Sequence, residues 1–232
     1  MCRLRLSAFV VTFVTCTSLQ AVLSSSPCDV TKYGAVGDNK TEDTRALQLV
    51  LDNTSCSPVV LPAPGAFLSR ALNLSLMSGR TLLIEAGAEL VVWRDPKTYS
   101  TTAANNMFLS ANSGDGTWTG PLVTGLTITG GGTVVGGGEA WWPFGKSITR
   151  PRILWMPLVD GLIVSNLTFI DSPAWNMGLR GNNILVEHMQ IIAGGSSCGG
   201  YNFAPNTDGF NIGGVNITIR DSSVHNGDDC IP

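Results

Sequence analysis

Four apolar residues at offsets 0, 2, 5 and 7 occur as Leu162, Val164, Leu167 and Phe169, and again as Ile184, Val186, Met189 and Ile191. A third copy, Ile217, Ile219 and Val224, carries Ser222 in place of one apolar member, and Leu126 with Ile128 begins an eroded earlier one. Alternation at two residues marks a strand with one buried face, and the three-residue step between the pairs marks a corner. A unit this small cannot bury its apolar face alone, so copies must stack. The starts at 162, 184 and 217 lie 22 and 33 residues apart, which puts an insertion in the second interval. Stacked units of two short strands and a corner predict an all-β chain, a right-handed parallel β-helix. A β-sandwich is the runner-up, and repeats of fixed length argue against it.

The rest of the chain agrees with a turn-rich β protein. It holds 27 glycines in 232 residues and is only 13% charged. After Ser57, short apolar runs at 59–61, 81–84 and 89–93 are separated by glycine, proline and asparagine. One stretch reads as helix instead, 41–53, with Thr41 as cap, Glu42 and Asp43 in the first turn, and Ala46, Leu47, Val50 and Leu51 on one face. A short N-terminal helix of this kind would cap the open end of the stack. Arg3 and Arg5 before an apolar run at 6–14 have the layout of a secretory signal, assigned to residues 1–26, and the run is too short for a membrane span. One β-helix domain, 27–232, would remain, exported to an oxidising compartment. Cys28 with Cys56 is the expected disulfide among three connectivities of the four remaining cysteines. Sequons at Asn39, Asn53, Asn73, Asn166 and Asn216 suit secretion.

Function classes fall away quickly. A net charge of −3 leaves no nucleic-acid footprint, and no later segment could cross a membrane as a helix. No His or Cys set has metal-ligand spacing, and the glycine-rich stretch 130–138 lacks the lysine of a phosphate loop. Neither metal nor cofactor is expected. What stands out is acid: Asp208 in Asn206-Thr207-Asp208-Gly209, then Asp228 and Asp229, 20 and 21 residues on. One turn of a β-helix returns the chain about 4.8 Å away, so a coil of that length clusters all three. Crowded carboxylates cannot all ionise freely, so one site holds an acid and a base together, as glycosidic hydrolysis requires. Asx-Gly pairs also mark plain turns, but turn chemistry does not need two adjacent aspartates. Neighbours on a regular strand point opposite ways, so Asp228 and Asp229 can share a face only if the strand is distorted, which Gly227 would permit. His225, three residues before Asp228, is a further candidate for the cluster, while His188 reads as an exposed strand position. Trp141-Trp142 reads as packing or as a sugar platform, and Trp175 as core. The insertion at 194–204, with Cys198, Tyr201 and Phe203, is either a cleft rim or a corner loop.

The motifs around 206–209 and 227–231 resemble the two leading motifs of the polygalacturonases, glycoside hydrolase family 28. The resemblance runs from about Asp29 to Pro232 and includes the stretches 29–38, 138–142, 148–152 and 171–176. It implies a pectin-lyase-like β-helix that hydrolyses α-1,4 galacturonosyl bonds in pectin. In it Asp228 would be the general acid, and Asp208 with Asp229 would deprotonate the attacking water, inverting the anomeric carbon. Asn206, Gly227 and His225 are the candidate substrate contacts. The partner would be a pectic polysaccharide, met by a secreted, extracellular monomer. The family's downstream Gly-His-Gly and Arg-x-Lys motifs do not occur, and Arg150, Arg152 and Arg180 match neither. The chain ends three residues after Asp229, which reads as a truncated β-helix with its C-terminal coils missing. Two alternatives stay open: a catalytically silent β-helix that binds cell-wall polysaccharide, and a hydrolase of another pectic polymer such as rhamnogalacturonan. In the family the cysteine after the aspartate pair bonds a later one, so Cys230 either bonds Cys198 or is free.

Overall fold

The computed structural model describes residues 25–99, 107–111, 119–145, 147–194 and 204–232. Residues 1–24 of the expected leader and the insertion residues Cys198, Tyr201 and Phe203 lie outside the described residues. Ser26, assigned to the leader, already belongs to the first strand, Ser26–Asp29, where it is paired with Cys56.

The strands fall into two sheets of 11 and 7 members, and every named strand pair is parallel. In the last coils the larger sheet takes Arg152–Asp160, Met177–Glu187 and Phe210–Arg220, while the smaller takes Thr168–Ile170, Gln190–Ile192 and Ser223–His225. The chain thus coils from one sheet to the other and back, giving the right-handed parallel β-helix that the repeat predicts.

The repeat is also longer than its visible copies. One lumen-facing column runs Val59, Leu82, Ile128, Val164, Val186 and Ile219, each in register with the next. A second runs Phe67, Leu90, Val134, Phe169, Ile191 and Val224. All but the last member of each column are buried. Apolar residues stacked in such columns supply the hydrophobic core that no single coil has. The corner between the two strands places Asn166, His188 and Asp221 at φ of 52°, 52° and 50°. Asn and Asp tolerate this left-handed conformation better than most residues. His188 is therefore an exposed corner residue, not a strand position. Ser222 replaces an apolar residue at little cost because its hydroxyl accepts from Met189 N and donates to Arg220 O.

The helix is present but shorter than expected, Thr44–Asp52. Residues Asp38–Glu42 instead form a strand beside Ala66–Ser69. The Thr41 hydroxyl donates to Asp38 and so caps nothing, and the buried Asp43 carboxylate accepts from Val36 N and Gly37 N. Leu47 and Leu51 close the lumen against Val59, Leu61, Leu72 and Leu82, which is the capping role. The buried Arg80 guanidinium donates to the Val50 and Leu51 carbonyls at the helix C-terminus and to Cys56 O, where a cation is favoured. Cys28 and Cys56 form the expected disulfide, Cα atoms 5.3 Å apart.

The columns predict where the fold is fragile. Phe169→Ala, in mid-column, should cost about 3–5 kcal/mol. Ile192→Ala, on the outer face of the same sheet, should cost less than about 1 kcal/mol. Urea titration of both variants checks this, and equal losses would contradict it.

Candidate active site

Three strands of the larger sheet set the site's frame, pairing Leu154 with Met177 and Met177 with Phe210. The same spacing continues ahead of the strands and into the last coil. Asn176 N donates to Asp208 O (2.8 Å), Gly209 N to Asp229 O (2.9 Å) and Phe210 N to Cys230 O (2.9 Å). Arg152, Trp175, Asp208 and Asp229 consequently occupy one position on four successive coils. The acid cluster expected from spacing is formed, because backbone hydrogen bonds fix the coils in this register.

Asp228 and Asp229 are both exposed, and residues 226–232 are not strand. The cause is local. A Cβ on Gly227 would lie 2.3 Å from Ala204 O, so only glycine lets the chain pass there and bend. Gly227 N donates to Thr207 Oγ1 (3.0 Å), and the Asn226 side chain donates to Thr207 O (2.8 Å) and Asp229 O (3.0 Å). From below, the buried Asn176 side chain donates to Thr207 O (3.0 Å) and Asp208 O (3.1 Å). Asn176, Thr207 and Asn226 were not singled out from sequence, since a polar side chain spent on a neighbouring coil's backbone leaves no periodic trace.

The three acids differ in surroundings. Asp228 Oδ2 accepts from Asn206 N (3.1 Å) and Asn206 Nδ2 (3.3 Å), and Oδ1 accepts from Asp229 N (3.0 Å). Asp208 is 7% exposed. Burial above all, joined by repulsion from Asp228 and Asp229, holds its carboxyl above the usual aspartate range, and its own backbone N–H and the nearby Asn211 amide offset only part of this. Asp208 Oδ1 and Asn211 Nδ2 are both buried without a hydrogen bond of regular geometry among the described residues. A carboxyl so placed holds a proton more readily than one in water.

Arg152 lies between two indole rings, its guanidinium carbon 4.5 Å from the Trp155 centroid and 4.3 Å from that of Trp175. Burial lowers its proton affinity, and the Asp208 charge partly restores it. Trp175 is not core: it is half-buried and walls two open grooves. One, about 310 Å³, is also lined by Thr149, Arg150, Arg152 and Asn206, and the other, about 280 Å³, by Arg180, Asn211 and Ile212. It leaves the core because its column points outward, with Arg152 stacked beside it. Trp141 and Trp142 are buried packing residues, and Trp142 Nε1 donates to Ser172 O (3.1 Å). His225 is exposed on the smaller sheet, where its carbonyl accepts from Ala193 N (2.7 Å). Its side chain makes no hydrogen bond to the acids among the described residues, because its strand belongs to the next face of the coil. Cys230 is a free, exposed thiol.

The profile of Glycosyl hydrolases family 28 matches residues 54–232, and the chain belongs to that family. It is 30% identical over 220 residues to a probable polygalacturonase of Arabidopsis thaliana, covering 92% of this chain and 44% of that protein. An exopolygalacturonase of Zea mays is 29% identical over 216 residues, covering 88% and 48%. The chain thus spans less than half the length of these relatives. The endo-xylogalacturonan hydrolase of Aspergillus tubingensis shares the fold, with a TM-score of 0.71 at 24% identity over 89% of this chain and 53% of that one.

Asp208 also predicts a pH dependence. Its folded proton affinity is raised, so its contribution favours the fold while the carboxyl is protonated and is lost as pH rises from the ordinary value of 3.8 through the higher folded one. Asp208→Asn removes that loss. It should stabilise the chain at pH 7 by on the order of 0.5–2 kcal/mol and leave it unchanged near pH 3. Thermal unfolding at the two pH values tests this, and a variant no more stable at pH 7 would contradict it.

Proposed function

We propose that this chain carries the catalytic acids of a polygalacturonase, hydrolysing α-1,4 galacturonosyl bonds in pectin without a cofactor. The observation that supports this best is the stacking of Asp208 against Asp228 and Asp229 with one acid buried and two exposed. In this reading Asp228, at the rim, gives its proton to the glycosidic oxygen as the bond to the anomeric carbon breaks. Water held by Asp208 and Asp229 attacks that carbon from the opposite side and loses a proton to the pair, so the product is inverted. Raised proton affinity makes Asp208 a better proton acceptor for that step than an aspartate in water.

The polymer would lie along the grooves beside Trp175. Because the chain is acidic overall, at −3, an anionic sugar must be drawn by local cations. Arg152, fixed between two rings, and Arg180 in the next groove are placed for this, and Trp175 offers an apolar wall for a sugar face. Asn206 and Gly227 shape the site through their contacts with Asp228 and Thr207. The leader-like N-terminus supports secretion to an extracellular substrate, and no helix among the described residues is long and apolar enough to cross a membrane.

Release of reducing ends from polygalacturonate tests the reading. Asp228→Asn should lower kcat by about 10²–10⁴-fold. Trp175→Ala should raise KM about tenfold with kcat nearly kept, the sign of lost uniform binding. Tight pectin binding with no turnover by the parent chain would contradict the hydrolase and favour a silent binder. Turnover of rhamnogalacturonan alone would move the substrate and keep the chemistry.

A further inference from the structure

A guanidinium that the proposed chemistry does not use lies one amide away from the proposed acid. Arg150 is 7% exposed and forms no ion pair among the described residues. Burial lowers its proton affinity, and an uncompensated buried cation is costly. Its partners are three neutral oxygens on the two following coils. One terminal nitrogen donates to Pro173 O (3.0 Å) and Pro205 O (2.6 Å), and the other donates to Asn206 Oδ1 (2.8 Å). Arg150 thus bridges the two coils that follow its own, through Pro173 on the first and Pro205 with Asn206 on the second. Arg150 is therefore a vertical strut across the coils that carry Trp175 and Asp208.

Its chemistry then dictates what Asn206 does. A guanidinium only donates, so Asn206 must turn Oδ1 towards it. With Oδ1 taken, Nδ2 has to face the other way, and there it donates to Asp228 Oδ2 (3.3 Å) beside Asn206's own backbone N–H (3.1 Å). Without Arg150 the amide could rotate by half a turn and present a lone pair to the carboxylate. We propose that Arg150 is a positioning residue: by fixing the orientation of the Asn206 amide, it holds the Asp228 carboxyl where a glycosidic oxygen would meet it. The proposal rests on the hydrolase reading for its consequence, but not for its geometry.

Two readouts keep the two ideas apart. The first needs no catalysis. In the ¹⁵N-labelled full chain, the two side-chain amide protons of Asn206 should be well separated in the parent and collapse towards the free-amide position in Arg150→Met. Arg150→Lys, which keeps the charge but not the fork, should be displaced in the same direction, and it serves if the methionine variant does not fold. An unmoved Asn206 amide in a folded Arg150 variant would overturn the proposal whether or not the chain hydrolyses anything. The second readout is kinetic. Arg150→Met and Asn206→Asp, which keeps the Arg150 contact but loses the amide donor, should each lower kcat about 10–100-fold with KM little changed. The double variant should be no slower than the slower single one. Losses that multiply would overturn the relay while leaving the hydrolase standing. Full activity of Asp228→Asn would instead sink the assignment of Asp228 as the acid, and an inactive parent chain would sink the hydrolase reading, with the amide resonances still deciding the geometry.

Discussion

The hydrogen bond from Gly209 N to Asp229 O, with its neighbours from Asn176 and Phe210, is the contact on which the site depends. Each is an ordinary backbone bond of 2.8–2.9 Å. Their effect comes from repetition: parallel coils in register turn a sequence separation of about twenty residues into adjacency. A slip of one residue would turn the last coil's side chains to the opposite face and dissolve the acid cluster. The lumen columns hold that register in place, since the same slip would expose Val186, Phe169 and their stacked neighbours. Fold energetics and site geometry are therefore one constraint seen from inside and outside the coil.

Within that frame the site is built against its own stability. Asp208 is buried near two other carboxyls, which a fold selected only for stability would avoid. The surrounding amides of Asn176, Asn206 and Asn226 hold the backbone and Asp228, while Asp208 Oδ1 and Asn211 Nδ2 remain without regular partners. Unmet polar groups of this kind call for an explanation, and the proton chemistry proposed for Asp208 supplies one. On one side the acids are bordered by cations of two sorts: Arg152, stacked between rings at the groove, and Arg150, buried beneath it and spent on neutral oxygens.

Much of this was legible in the amino-acid sequence because it rests on short-range periodicity. Leu162 to Phe169 and Ile184 to Ile191 recur with few interruptions, so the coil could be read, and the acids followed from it. The earlier members Val59, Leu82 and Phe67 belong to the same columns but are separated by loops of uneven length, which erases a fixed repeat. The helix start was misjudged because Asp38 draws in Thr41 through a hydrogen bond that residue preferences do not register. Trp175 was misassigned for a related reason: a large apolar residue reads as core until its column is known to face outward. Arg150 and Arg152 matched no basic motif, and only their placement under and beside the acids gives them a part.

The central claim, that parallel coils in one register bring Asp208 beside Asp229, can be measured without substrate. Scalar couplings across hydrogen bonds, read by NMR from the donor ¹⁵N to the acceptor carbonyl ¹³C, report each backbone bond by its two partners. The account predicts couplings from Gly209 N to the Asp229 carbonyl and from Asn176 N to the Asp208 carbonyl. Couplings from Gly209 to a neighbouring residue of the last coil, or none at all with Asn176 and Phe210 also silent, would contradict it.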